Sequence, residues 1–69
     1  MKIDDIMEKA ALGQLQVVVV DVDGDTYKGT ARGYTKADDE EDGFSTICID
    51  SDRGNWCLGE NEIRSIEIV

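Results

Sequence analysis

The sequence predicts a mainly β fold, in which an N-terminal α-helix is followed by a five-stranded, strongly bent antiparallel barrel. Three observations predict it. Apolar residues recur at helical spacing over the first 13 positions, β-branched residues dominate positions 15–22, and turn-forming residues separate the apolar runs that follow. A chain of 69 residues has room for one domain. We therefore expect a single domain over 1–69, with the helix in 1–13 and the small barrel in 15–69.

The helix is predicted from apolar residues that lie three or four positions apart and so share one face. They are Ile3, Ile6, Met7, Ala10 and Ala11. Asp4 or Asp5 can cap the first turn, and Gly13 is suited to the end of the helix.

The first strand is apolar on both faces. One face carries Val18, Val20 and Val22, and the other carries Leu15, Val17 and Val19. In so small a protein, such a strand indicates that the barrel interior covers one face and that the helix or a neighbouring subunit covers the other.

Turn signals define the four later strands. Asp23-Gly24 predicts a tight turn into a strand over 26–35, where Gly29 and Gly33 mark bulges or sharp bends that help a short sheet to close. The remaining strands are expected over 44–50, 55–58 and 63–69, with turns at 52–54 and 59–62 and an acidic, solvated loop over 36–43.

The two cysteines belong to the hairpin that turns at Gly54. With Gly54 in the left-handed position of a three-residue loop, Ile49 faces Cys57 across the hairpin. Cys48 and Cys57 then point to opposite faces. We therefore predict that both are reduced and act as small apolar fillers.

The charge balance limits the classes of partner. Sixteen acidic residues against seven basic ones give a net charge of −9, which repels the phosphate backbone of nucleic acids. The same charge suits a protein partner with a basic groove. The chain has no apolar run long enough to span a membrane, and its first residues lack the pattern of a signal peptide. From these features we expect a cytoplasmic protein.

Catalysis and metal binding are both disfavoured. The sequence has no histidine, so the commonest general base is missing and neither cysteine has a histidine to activate it. An EF-hand loop starting at Asp21 would need Gly and Glu at its sixth and twelfth positions, where Thr26 and Arg32 stand. Asp21, Asp23 and Asp25 could share a weakly held cation, but turn formation explains them as well. We expect no enzyme activity, no cofactor and no metal site.

From Val17 onward the chain resembles the Sm-like (LSm) family. The residues that carry the resemblance to the first Sm motif are Val18, Val20, Asp23-Gly24, Gly29, Gly33 and Tyr34. The second motif is matched less closely, by residues 57–61 with Ile63 and Ile66. This resemblance implies an SH3/Sm-like barrel preceded by a helix, and it implies that rings can form.

The family's RNA pocket is degenerate in this sequence. Thr35, Ser45 and Leu58 stand where the family usually has Asp, a base-reading Asn and a base-contacting Arg. Together with the acidic charge, these departures make RNA binding less favoured than the two functions considered next.

The leading expectation is a non-catalytic protein-interaction or self-assembly module, which binds through an exposed strand edge or an apolar face. The residues expected on that face are Phe44, Trp56 and Leu58. Packing of Trp56 under the helix is the other interpretation. The alternative function is an acidic inhibitor or nucleic-acid mimic that blocks a basic cleft. Its candidate residues are Asp38, Asp39, Glu40, Glu41 and Asp42, with Asp21, Asp23 and Asp25.

Overall fold

The computed structural model describes residues 2–36 and 43–69, which form one helix and one antiparallel sheet of five strands. The elements in chain order are α1 (Ile3–Gly13), β1 (Gln16–Asp21), β2 (Thr26–Thr35), β3 (Thr46–Ser51), β4 (Gly54–Gly59), a 3-10 turn (Glu60–Glu62) and β5 (Ile63–Ile68). The prediction of a mainly β protein with an N-terminal helix is confirmed.

The sheet has the order β4-β3-β2-β1-β5 and is not closed into a barrel. Among the described residues, β4 pairs only with β3, and β5 pairs only with β1. Helix α1 packs on β2, β3 and β5 and so covers the apolar face of the open sheet. The core can therefore be buried without a ladder between β4 and β5.

The helix presents its predicted apolar face to the sheet. Met7 and Ala10 are fully buried, and Ile3, Ile6 and Ala11 pack around them. Its ends differ from the prediction, because Lys2 is the N-cap residue and Gln14 adopts the left-handed conformation at the C-terminus. Asp4 is not a cap, since its carboxylate accepts a hydrogen bond from the sheet instead.

One face of β1 enters the core. Val17 and Val19 are buried against the helix side, whereas Val18 and Val20 are half-buried on the outer face and Val22 lies beyond the strand in an exposed turn. Helix α1 thus packs on the same side as the core. The remaining core residues are Tyr27, Ala31, Ile47, Ile49, Leu58, Ile63 and Ile66.

Of the two glycines of β2, Gly33 stands at a bulge as predicted, whereas Gly29 allows a close approach of β3 instead of a bulge or bend. The register between β2 and β3 shifts between Ala31 and Gly33, which is the expected bulge. At Gly29 the strands approach closely, because a Cβ atom there would lie 2.2 Å from the carbonyl oxygen of Asp50.

The predicted register of the β3–β4 hairpin is wrong by one residue. Ser51 pairs with Gly54, Ile49 pairs with Trp56, and Cys48 pairs with Cys57. Gly54 has the expected positive φ of 105°, but it belongs to the ladder, and only Asp52 and Arg53 lie between the paired residues. The Ser51 hydroxyl closes this turn, since it donates to the Gly54 carbonyl oxygen and accepts from the Arg53 backbone N–H.

The corrected register also overturns the prediction for the cysteines. A shift of one residue moves a side chain to the other face of a strand, so Cys48 and Cys57 lie side by side on the same face. They form a disulfide, with an S–S distance of 2.09 Å and Cα atoms 4.0 Å apart. Both are therefore oxidised in this structure, and they are not reduced fillers on opposite faces.

Candidate interaction surface at the edge of the sheet

Trp56 lies on the inner face of edge strand β4 and is only partly covered. Its side chain is 38% exposed, and its ring packs on Tyr27, with the ring centroids 5.3 Å apart and the planes tilted by 50°. Tilted aromatic pairs at this separation are favourable beyond the area they bury. The indole is thus supported from one side and open to solvent on the other.

Arg53 completes this group from the turn between β3 and β4. Its guanidinium carbon lies 5.1 Å from the centroid of the Tyr27 ring and 6.0 Å from that of Trp56, which are cation–π distances. The Trp56 indole N–H also donates to the Arg53 carbonyl oxygen at 3.1 Å. We refer to Tyr27, Arg53 and Trp56 as the aromatic patch.

Asp21 fixes the position of Tyr27 through a hydrogen bond to its hydroxyl group. The Tyr27 hydroxyl donates to Asp21 Oδ2 at 3.1 Å, and the backbone N–H groups of Asp23 and Asp25 donate to Oδ1, each at 2.9 Å. Burial raises the pKa of Asp21, but the hydrogen bonds from Asp25, Tyr27, Asp23 and Gly24 together outweigh it, so the pKa lies below its ordinary value. Burial of the phenol raises the pKa of Tyr27, and the hydrogen bond to the Asp21 carboxylate raises it further.

These contacts identify Asp21 as the aspartate whose side chain forms the turn, whereas Asp23 and Asp25 contribute backbone N–H groups. Asp21 is 7% exposed, and its two carboxylate oxygens accept hydrogen bonds from within the chain. In residues 2–36 and 43–69, no three cysteine or carboxylate side chains are grouped so that they could hold a metal ion. Asp21 is accordingly a structural residue.

The edge strand beside the aromatic patch lacks the charges, prolines and bulges that often protect an edge against pairing. Its six residues, GNWCLG, include no charged side chain and no proline, and they pair with β3 one for one without a bulge. Native edge strands are usually blunted by charges, prolines or bulges. The other edge, β5, has Arg64 and Glu67 and a register irregularity against β1.

Alternate residues of β4, among them Asn55 and Cys57, direct their backbone groups away from β3. In an antiparallel pair, residues with close Cα atoms are the ones that do not hydrogen-bond to each other. The Cα atoms of Cys48 and Cys57 are 4.0 Å apart, so Cys57 is in such a position, and the alternation places Asn55 in one too. Their N–H and C=O groups therefore point to the open side of the edge.

The structure separates the residues that the sequence grouped as a binding face. Trp56 and Phe44 are exposed, the latter at 53% in the segment before β3, whereas Leu58 is 6% exposed and belongs to the core. Leu58 therefore offers no surface to a partner. Asp38, Asp39, Glu40, Glu41 and Asp42 lie outside the described residues. Sequence reasoning missed Tyr27 because no local pattern links β2 to β4, which are not neighbours in the sheet. It missed Arg53 because the predicted register of this hairpin was wrong by one residue.

A second polar cluster joins the helix to the sheet. The Tyr34 hydroxyl donates to Asp4 Oδ1 and lies 3.3 Å from Ser45 Oγ. Hydrogen bonds from Ser45 and Tyr34 lower the pKa of Asp4, and burial together with Asp4 raises the pKa of Tyr34. Of the three positions compared above with an Sm-like RNA pocket, Ser45 and Leu58 are buried, whereas Thr35 is exposed at the end of β2.

Comparison with known proteins finds no matching family model, no similar curated protein and no similar solved structure. Within the part of the chain that the structure describes, no helix is long and apolar enough to cross a membrane.

Proposed function

We propose that this protein is a non-catalytic interaction module that binds an extended segment of a partner protein along the open edge of β4. The observation that carries this proposal is the edge itself, which is regular, uncharged and unpaired on one side in the described residues. Addition of a strand to such an edge is a recurring mode of peptide recognition, in which backbone hydrogen bonds supply affinity.

The aromatic patch supports the proposal because it lies beside this edge. A strand added to β4 would hydrogen-bond to the outward groups of Asn55 and Cys57, and its inward side chains would lie next to the exposed side of the Trp56 indole. Partly buried tryptophan and arginine residues are typical anchors of protein interfaces. Because Tyr27 and Arg53 hold the indole in place, little side-chain freedom is lost on binding.

Charge favours a basic partner over a second copy of the chain. The net charge is −9, so two copies repel each other, whereas a segment flanked by Lys or Arg is attracted. The sequence also allows self-assembly. In that case, pairing of the β4 edges of two copies would have to outweigh their mutual repulsion.

The SH3/Sm-like assignment remains a proposal of fold relationship. It is supported by the N-terminal helix, the five antiparallel strands and the bulge at Gly33. RNA binding is not part of this proposal, because Ser45 and Leu58 are buried, Thr35 replaces the Asp usual in the family, and the net charge of −9 repels phosphate.

The test begins with selection of binders from a random decapeptide library against the immobilised full chain. A selected peptide is then titrated into the ¹⁵N-labelled protein. Edge binding predicts chemical-shift changes at the amides of Asn55 and Cys57. It also predicts that Asn55→Pro, which removes an outward N–H without breaking the β3 ladder, weakens binding by at least about tenfold. Asn55→Thr is the matched control, because it keeps the N–H and suits a strand.

Three results would contradict the proposal. They are the absence of any selected peptide, equal binding by the Pro and Thr variants, and shift changes confined to other strands. Binding that disappears in 0.5 M salt and does not depend on residue 55 would favour the acidic-inhibitor alternative. A concentration-dependent mass in light scattering that Asn55→Pro abolishes would identify the second copy as the partner.

A further inference from the structure

We propose that the Cys48–Cys57 disulfide is a thiol–disulfide exchange site, opened in the folded protein by a dithiol reductant of the thioredoxin class. The disulfide lies on the outer face of the sheet, opposite to the side chains of β3 and β4 that enter the core. This inference does not depend on the proposed partner, because it concerns the chemistry of the outer face alone.

Access to the disulfide is one-sided and favours one sulfur. Cys57 is exposed and belongs to the edge strand, whereas Cys48 is half-buried in β3, between β2 and β4. Exchange depends on access and on which sulfur is attacked. The geometry therefore points to Cys57 Sγ as the sulfur that an incoming thiolate attacks.

The reaction is a two-electron reduction of the Cys48–Cys57 disulfide in two exchange steps. The first thiolate of the reductant bonds to Cys57 Sγ, the Cys48–Cys57 bond breaks, and Cys48 leaves as a thiolate that takes up a proton. The second thiolate of the reductant then attacks its own partner sulfur in the mixed disulfide, and Cys57 is released as a thiolate. The chain gains two thiols, and the reductant leaves as a disulfide. The reverse sequence closes the site.

The fold holds the two sulfurs together without the bond. Ile47, Ile49 and Leu58 anchor both strands of the hairpin in the core from the opposite face. The disulfide spans a sequence separation of only nine residues that the hairpin has already brought together, so the covalent bond restricts a short loop. Reduction should therefore leave the sheet intact, as a reversible site requires.

The position of the disulfide on the outer face also affects which cellular compartment the protein can occupy. Thiols in the cytoplasm are kept reduced, and stable disulfides belong to oxidising environments. A disulfide that opens without unfolding is compatible with both, and its state then reports the redox poise around the protein. A disulfide whose reduction requires global unfolding would instead tie the protein to an oxidising environment.

The first experiment compares the rate of thiol release by dithiothreitol from the oxidised full chain in buffer and in 8 M urea. We expect the rate in buffer to be within about tenfold of the rate in urea, with an unchanged far-UV circular dichroism spectrum after reduction. A rate in buffer that is slower by about a thousandfold or more would overturn the proposal, because reduction would then require unfolding. Recovery of the aerobically purified chain with two free thiols would also overturn it.

The second experiment tests which sulfur is attacked. A thioredoxin in which the resolving cysteine is replaced by serine should be trapped as a mixed disulfide, and peptide mass spectrometry should locate it at Cys57. Trapping at Cys48 would refute the assignment of the attacked sulfur. The Cys48→Ser/Cys57→Ser double variant should remain folded, and its unfolding would show that the bond is structural.

Discussion

Asp21 is the residue on which the turn between β1 and β2 depends. One carboxylate oxygen binds two backbone N–H groups of the turn, and the other binds the Tyr27 hydroxyl under the aromatic patch. A single buried side chain thus links the tight turn to the candidate interaction surface. Removing it would leave several donors without an acceptor, which is costly when the donors are buried.

We predict that Asp21→Ala lowers the melting temperature by about 10 °C, because the Tyr27 hydroxyl and the turn N–H groups lose their acceptor. Asp23→Ala is the matched control, since only the backbone N–H of Asp23 takes part in these bonds. It should change the melting temperature by no more than a few degrees. Thermal unfolding followed by circular dichroism measures both, and equal losses would contradict the role assigned to Asp21.

The pKa shifts predict how this contribution depends on pH. The pKa values of Asp21 and Asp4 are lowered from 3.8 in the folded state, so both carboxylates favour folding above about pH 4. This stabilisation is lost as the pH falls through their folded-state pKa values. The pKa values of Tyr27 and Tyr34 are raised from 10.0, so their contribution is present below pH 10 and is lost as the pH rises further.

We therefore expect the difference in unfolding free energy between the wild type and Asp21→Asn to be largest near neutral pH. It should shrink as the pH falls below about 4, because the carboxylate of the wild type is then protonated. Urea unfolding at a series of pH values measures this difference, and subtraction removes the effect of the other carboxylates. A difference that stays constant down to pH 2 would exclude an ionised Asp21 as its source.

Strand β2 contains two glycines with different structural roles. Gly29 allows β3 to approach, since its missing Cβ would meet the backbone of Asp50 and Ser51 at 2.2 to 2.8 Å. Gly33 stands beside the bulge, and a Cβ there would only touch the side chain of Cys48 at 3.9 Å. The first glycine is thus required by contact with backbone, and the second has room for a methyl group.

We predict that Gly29→Ala destabilises the protein by about 3 kcal/mol, because the strands must separate to admit the methyl group. Gly33→Ala should change the free energy of unfolding by less than about 1 kcal/mol, since the added Cβ makes an ordinary contact and alanine restricts the unfolded chain. Urea unfolding of both variants provides the measurement. If Gly33→Ala proved the more harmful, the close approach at Gly29 would be incorrect.

The chain has a net charge of −9, and the part that the structure describes shows little ion pairing. Among the described residues the structure shows one ion pair, between Arg32 and Asp50 at 3.7 Å, and both side chains are about half exposed. Exposed pairs of this kind contribute little. The net charge therefore predicts net repulsion between the acidic side chains of the folded protein, and the same negative charge would attract a basic partner.

We predict that raising sodium chloride from 10 to 300 mM increases the melting temperature by about 5 °C, because salt screens this repulsion. The control is the double variant Glu8→Lys/Glu67→Lys, in which each exposed replacement changes the charge by two, from −9 to −5. Its melting temperature should rise by about half as much. If the melting temperature of the wild type fell as salt was added, attraction between opposite charges would dominate over repulsion.

Local sequence patterns were sufficient for most of the secondary structure. Helical spacing identified α1, because one face of a helix must be apolar to pack. Asp23-Gly24 and the alternation after it located β2 at its observed bounds, since a positive φ at Gly24 (92°) is required by the tight turn. Composition alone established the absence of histidine and the acidic charge.

Features that depend on register or on contact between distant residues were decided only by the tertiary structure. The sequence around Gly54 is compatible with a three-residue loop that includes the glycine and with a two-residue loop that ends before it. That difference of one residue determines whether Cys48 and Cys57 are apart or bonded. The aromatic patch and the burial of Leu58 likewise arise where separate strands meet. The turn residues did not determine whether the sheet closes. In the structure it stays open, and helix α1 packs on its apolar face.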